Sequence, residues 1–191
     1  ESQPDSERVS SFVYPGGILA VHAKGRGKDE IWTALKNKNV YGTSGPRILL
    51  WFDLINSPQG QVPMGSEITM SQNPKFIVKA AGSFKQNPGC SNESVDSLSS
   101  ERLKYLCAGE CYNPTNQREI IERIEVIKIT PQVYAGEEVM PLIQDPWMKI
   151  PCQGTGECSV EFEDQNFSRD STYYVRAIQK STPAINGAAL S

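Results

Sequence analysis

From Pro46 onward, short β-prone runs alternate with Pro, Gly and Asn, and this texture constrains the fold more than any other feature of the sequence. The runs cover residues 48–54, 66–70, 75–81, 123–130, 159–163 and 172–179. Two of them alternate cleanly. Ile124, Val126 and Lys128 oppose Glu125, Ile127 and Ile129, while Tyr173, Val175 and Ala177 oppose Tyr174, Arg176 and Ile178. Six or so strands with this punctuation predict an antiparallel β-sandwich. Between them, residues 86–118 form a long cysteine-bearing excursion with one predicted helix at 99–106, capped by Ser99 or Ser100.

The segment before Pro46 has a different pattern. Residues 16–23 are a continuous apolar run bounded by glycine, which reads as a strand buried on both faces in a parallel sheet, with His22 near its C-terminal end. Residues 28–39 place Ile31, Trp32, Ala34 and Leu35 at helical spacing. Asp29 and Glu30 come early and Lys36 and Lys38 late, as the helix dipole favours. Strand, helix and then the glycine turn of residues 40–47 read as the closing βα step of a larger α/β domain, because one such unit cannot bury a sheet alone. Residues 1–10 are polar and expected to be mobile. Lacking a start methionine or a leader, the first residue reads as an interior position of a longer protein.

Charge and composition narrow the function. Across 191 residues, 19 Lys+Arg stand against 22 Asp+Glu, a net charge of −3 that argues against a basic nucleic-acid binder. The longest apolar run is about as long as a strand, too short for the roughly 20 residues of a membrane span. His22 is the only histidine in the sequence, so a multi-histidine metal site or a full set of imidazole groups cannot be assembled from this chain.

Five cysteines, Cys90, Cys107, Cys111, Cys152 and Cys158, all fall between positions 90 and 158, and none precedes residue 90. Cys-x3-Cys at 107–111 and Cys-x5-Cys at 152–158 do not match a zinc ribbon, and no histidine lies nearby to complete a ligand shell. Short disulfide loops stapling Gly/Pro/Asn-rich segments are the favoured reading, with ordinary reduced thiols as the alternative. Disulfides imply a secreted or periplasmic location. The odd total leaves one thiol free or paired beyond residue 191.

Residues 16–21, the Ala34-Leu35 pair and above all residues 40–48, Val-Tyr-Gly-Thr-Ser-Gly-Pro-Arg-Ile, resemble the C-terminal third of the bacterial family called domain of unknown function 3604. Further motifs in the same order are Trp51-Phe52-Asp53-Leu54, Pro63-Met64-Gly65-Ser66-Glu67, residues 142–147, and residues 173–179 through 182–187. The resemblance implies kinship with the polymerase-and-histidinol-phosphatase superfamily, whose distorted α/β barrel binds metal ions and hydrolyses phosphate esters. It implies that the His and Asp ligands, with a divalent Zn, Mn or Fe, belong upstream of residue 1, and that this chain holds no cofactor itself. Many members carry tryptophan where this sequence has His22.

Together these readings give a mainly β protein: residues 1–45 are the terminal strand and helix of a barrel, and residues 46–191 a disulfide-stapled sandwich-like domain. The expected function is the C-terminal portion of a secreted or periplasmic metal-dependent hydrolase. Its partner is the upstream barrel, in cis or as a cleaved chain, and its substrate a small anion. Tyr41, Thr43, Ser44 and Arg47 are the candidate substrate-binding residues, since two hydroxyls beside a guanidinium fork suit a phosphate or carboxylate; a domain hinge is the competing role. His22 is the candidate acid/base group, against a plainer reading as a hydrogen-bonded strand-end histidine. Glu137, Glu138, Glu161, Glu163 and Asp164 read as solvated rather than calcium-binding. Trp32, Trp51 and Trp147 read as packing residues rather than a sugar platform. The alternative function is a non-catalytic module that recognises a glycan or a protein partner.

Overall fold

The computed structural model of the protein describes residues 16–107 and 111–182. The polar opening and residues 183–187 of the family-like motif lie outside the described residues.

The described chain is mainly β, with antiparallel pairing throughout. It opens with β1 (Ile18–Val21), α1 (Lys28–Lys36) and β2 (Val40–Thr43). The strands that follow are β3 (Leu49–Ser57), β4 (Gly60–Pro63), β5 (Lys75–Ala81) and β6 (Phe84–Pro88). Two helices, α2 (Asn92–Ser97) and α3 (Ser100–Cys107), lead to β7 (Tyr112–Arg118) and β8 (Ile121–Ile129). The last strands are β9 (Ile143–Pro151), β10 (Glu157–Glu163) and β11 (Thr172–Gln179). A four-stranded sheet has the order β10-β5-β3-β4 and a three-stranded sheet the order β11-β8-β9. Their facing sides share one core: Leu50, Phe52, Phe76 and Val78 from the first pack with Ile121, Ile124 and Val126 from the second. No helix among the described residues is long and apolar enough to cross a membrane.

Several sequence expectations need correction. The run at 66–70 forms no strand, while β2, within the segment expected as a glycine turn, and β4, β6, β7 and β9 were not foreseen. β7 carries Asn, Pro, Thr, Gln and Arg, a composition without β-branched apolar alternation, and it pairs with β6 only as the base of the cysteine excursion. The excursion holds two helices rather than one, and Ser99 caps the second by accepting from the Arg102 amide at 3.2 Å.

The larger correction concerns β1. It lies in a two-stranded sheet, antiparallel to β2, in the register Ile18↔Thr43 to Val21↔Val40. Ile18 is 43% exposed and Leu19 58%, so the run is not buried on both faces. The reason lies in the connection. α1 ends at Lys36, three residues earlier than the spacing predicts, in a Schellman cap: the Asn39 amide donates to Ala34 O at 3.0 Å and the Lys38 amide to Leu35 O at 3.1 Å. Lys38 takes φ 57° at the left-handed position, and the chain reverses at once into β2 beside β1 instead of crossing over.

β8 shows why clean alternation can mislead. Glu125 and Ile127, on the face opposite Ile124 and Val126, are buried too. Lys128, in phase with the core residues, reaches Asp164, which is 1% exposed and so corrects its reading as a solvated carboxylate. Tyr173 donates to the same carboxylate oxygen at 2.5 Å, and the Asn166 amide donates to the other at 3.1 Å. Lys128 Nζ also lies 5.3 Å from the Trp147 ring centre, and Trp147 packs on Phe162 and Tyr173. Burial pushes the Asp164 carboxyl upward, but the Lys128, Tyr173 and Asn166 hydrogen bonds outweigh it and hold the pKa below the ordinary carboxylate value. A depressed folded-state pKa contributes stability above the unfolded value, and that contribution is lost as pH falls through the folded one. Urea titrations are expected to show stability falling as pH drops below the ordinary carboxylate range. In Asp164→Asn this component of the fall should vanish, and an unchanged acid slope would refute the assignment.

Candidate functional site

Of the residues singled out in the sequence, His22 and Tyr41 come together where the small sheet meets the chain leading into β3. Tyr41 faces inward from β2 and donates its hydroxyl to Ile48 O at 3.1 Å. Burial raises its pKa above the usual phenol value, so it is a neutral hydrogen-bonding group. His22, just past β1, places Nε2 2.8 Å from Leu50 O, with its ring 5.4 Å from Tyr41 and 5.8 Å from Trp51 between centres. That hydrogen bond to a carbonyl requires the proton on Nε2, and it ties the strand end to β3.

Thr43, Ser44 and Arg47 continue from Tyr41 but are not gathered into a closed pocket. Ser44 and Arg47 are exposed, and Arg47 makes no ion pair among the described residues. The Thr43 hydroxyl is buried without a hydrogen-bond partner there. Gly42 sits in regular register opposite Leu19. Among the described residues, therefore, Arg47 stands exposed without an ion pair, while the Thr43 hydroxyl is closed off from solvent and unsatisfied.

Beside this rim lies a cleft of about 910 Å³, running from Tyr41 past Phe52 and Met64 to Tyr173 on β11. Its walls mix apolar and polar side chains, and Lys38 and Glu67 form an exposed ion pair at its edge, 2.6 Å apart. The loop after β4 builds one wall. Asn39 Nδ2 donates to Met64 O at 2.6 Å, and Gly65 takes φ 88° so close to the end of α1 that a Cβ there would lie 2.5 Å from Lys38 O. Asn39 and Gly65 position the N-terminal unit on the β region. Neither was identified as a site residue from the sequence, although Gly65 stands within the quoted Pro63–Glu67 motif.

Among the described residues, the metal chemistry that the family resemblance implies finds no His/Asp/Glu ligand set. The one group of three ligating side chains among the described residues is Cys90, Cys107 and Cys111. Of the five cysteines, Cys107 and Cys111 form one disulfide and Cys152 and Cys158 another, while Cys90 is a free thiol. Cys152–Cys158 joins the end of β9 to the start of β10, and so links the two sheets covalently.

No curated protein and no solved structure matches this chain. The model of one family, described as "Protein of unknown function (DUF3604)", matches residues 2–88, a stretch that takes in the small sheet, the cleft wall and the chain as far as the end of β6.

Proposed function

We propose that this chain is the C-terminal portion of a secreted or periplasmic metal-dependent hydrolase, in which the β1–α1–β2 unit completes an upstream α/β barrel and the β-sandwich-like remainder buttresses it. One observation carries this reading. The small sheet has only two strands among the described residues, and Ile18, Leu19, Ile31 and Trp32 are exposed around it. Apolar side chains presented by both a strand and its neighbouring helix fit a layer whose next strand and covering helices come from elsewhere.

In this reading the metal site belongs to the upstream part. Arg47, with Thr43 and Ser44, lies at the rim and orients an anionic substrate, and Tyr41 holds the rim to Ile48, just before β3. His22 fixes the strand end. The 910 Å³ cleft favours the second reading, a binding module without catalysis, because its size and its mix of apolar and polar walls suit a small ligand.

Phosphoesterase assays on the longer protein, with Zn, Mn or Fe added in turn, separate the two. Metal-dependent turnover is expected there and none from this chain. Arg47→Ala in the longer protein is expected to raise KM by about 10-fold or more, the loss of one charge-assisted contact. Turnover by residues 1–191 alone, or an Arg47→Ala enzyme with unchanged KM, would refute the proposal.

A further inference from the structure

The three-cysteine cluster is independent of the proposed hydrolase role. β6 and β7 pair through Pro88↔Tyr112, and one step further the Gly89 amide donates to Cys111 O at 2.7 Å. Asn113 Nδ2 donates to Gly89 O at 2.9 Å, and Gly89, at φ 103°, turns the chain so that Cys90 points back toward the end of α3. Cys90 Sγ thereby lies 3.1 Å from Cys107 Sγ, and all three sulfurs fall within 4.8 Å of one another. Beside them is a cavity of about 300 Å³ lined in part by Leu98, Leu103 and Leu106, and all three cysteines are only partly buried.

A free thiol in contact with a disulfide is the reactant pair for thiol–disulfide exchange. We propose that Cys90, Cys107 and Cys111 form an exchange site in which Cys107 is shared between two alternative bridges. The Cys90 thiolate attacks Cys107 Sγ, the Cys90–Cys107 bond forms, the Cys107–Cys111 bond breaks, and Cys111 leaves as a thiolate. The proton lost by Cys90 is taken up by Cys111 through water. One disulfide and one thiol are present before and after, so no oxidant or reductant is consumed.

The two bridges tether different elements. Cys107–Cys111 ties the end of α3 to the start of β7, a separation of four residues. Cys90–Cys107 ties α3 to the end of β6 and closes a 17-residue separation around both helices. Exchange therefore moves the tether from one strand of the β6–β7 ladder to the other. It also transfers the reactive thiol from Cys90 to Cys111, both of which line the cavity.

Peptide mapping without reduction tests this on the unmodified chain. The protein is held in mildly alkaline buffer, quenched in acid to stop exchange, and alkylated with a maleimide. The expected result is one label per chain, on Cys90 in some molecules and Cys111 in others, with Cys90–Cys107 and Cys107–Cys111 cross-linked peptides both present. Cys90→Ser should abolish labelling, and Cys111→Ser should form the Cys90–Cys107 bridge in a buffer of low-molecular-weight disulfide. Label confined to Cys90 at all incubation times, or a Cys90–Cys111 bridge that leaves Cys107 labelled, would overturn the proposal.

Discussion

Lys128→Met is expected to destabilise the protein by about 3–5 kcal/mol, because it leaves a buried carboxylate without its counter-ion. Methionine keeps the packing against Trp147, so the loss isolates the charge. Asp164 then faces only the Tyr173 hydroxyl and the Asn166 amide. Without Lys128, the Asp164 pKa loses the largest of the bonds that lower it and rises from its wild-type position, while the Tyr173 and Asn166 bonds remain. The pH dependence should weaken as a result. The wild type loses this contribution on acidification, whereas the variant has less of it to lose, and the gap between the two narrows as pH falls. Lys75→Met is the control. Its partner Glu163 lies 3.5 Å away in an exposed pair, so a change of about 0–1 kcal/mol is expected. Urea titrations of both variants at neutral and acidic pH measure the effect, and equal losses would refute the buried pair.

Gly65→Ala is expected to cost about 2–4 kcal/mol, combining left-handed strain with a backbone clash. Its Cβ would lie 2.5 Å from Lys38 O and closer still to Asn37 O. Relief requires the loop after β4 to move away from α1, which breaks the bond from Asn39 Nδ2 to Met64 O. Gly60 provides a matched comparison, since it has the same φ of 88° and nothing within 4 Å of an added Cβ. Gly60→Ala therefore carries the strain alone, about 1–2 kcal/mol. Thermal melts give the totals, and limited proteolysis between α1 and β2 reports release of the N-terminal unit. Identical effects at the two glycines would mean that the close approach at Gly65 is absent.

The sequence made the β character legible because β5 and β11 carry unbroken β-prone runs, and their observed bounds coincide with the expected ones. It did not show how β1 is paired. An apolar run such as Ile18–Val21 reads the same in a parallel or an antiparallel sheet, and the deciding element was the Schellman cap at Lys38, whose residue type gives no left-handed signal. β9 was missed because Asp145, Pro146 and Lys149 interrupt its apolar pattern. The Lys128–Asp164 pair left a trace, since a lysine in phase with Ile124 and Val126 marks a charge directed at the core. Its partner could not be read because Asp164 is 36 residues away, and only the fold brings the two together.

The candidate site was legible as a set of residue types rather than as a place. Tyr41 proved to line a cleft and to hold a backbone carbonyl, while Arg47 and Ser44 stand exposed beyond it. Among the described residues, the apolar side chains of β1 and α1 are exposed and the buried Thr43 hydroxyl has no hydrogen-bond partner, and the proposal of a further layer of protein there rests on these.

Amide hydrogen exchange tests that placement most directly, with this chain compared against the longer protein over Ile18–Val21 and Val40–Thr43. If an upstream layer covers the small sheet, these amides should exchange about a hundredfold more slowly in the longer protein, as expected for a few kcal/mol of added local stability. Equal rates in the two proteins, with the exposed face of α1 equally open to solvent, would contradict the account.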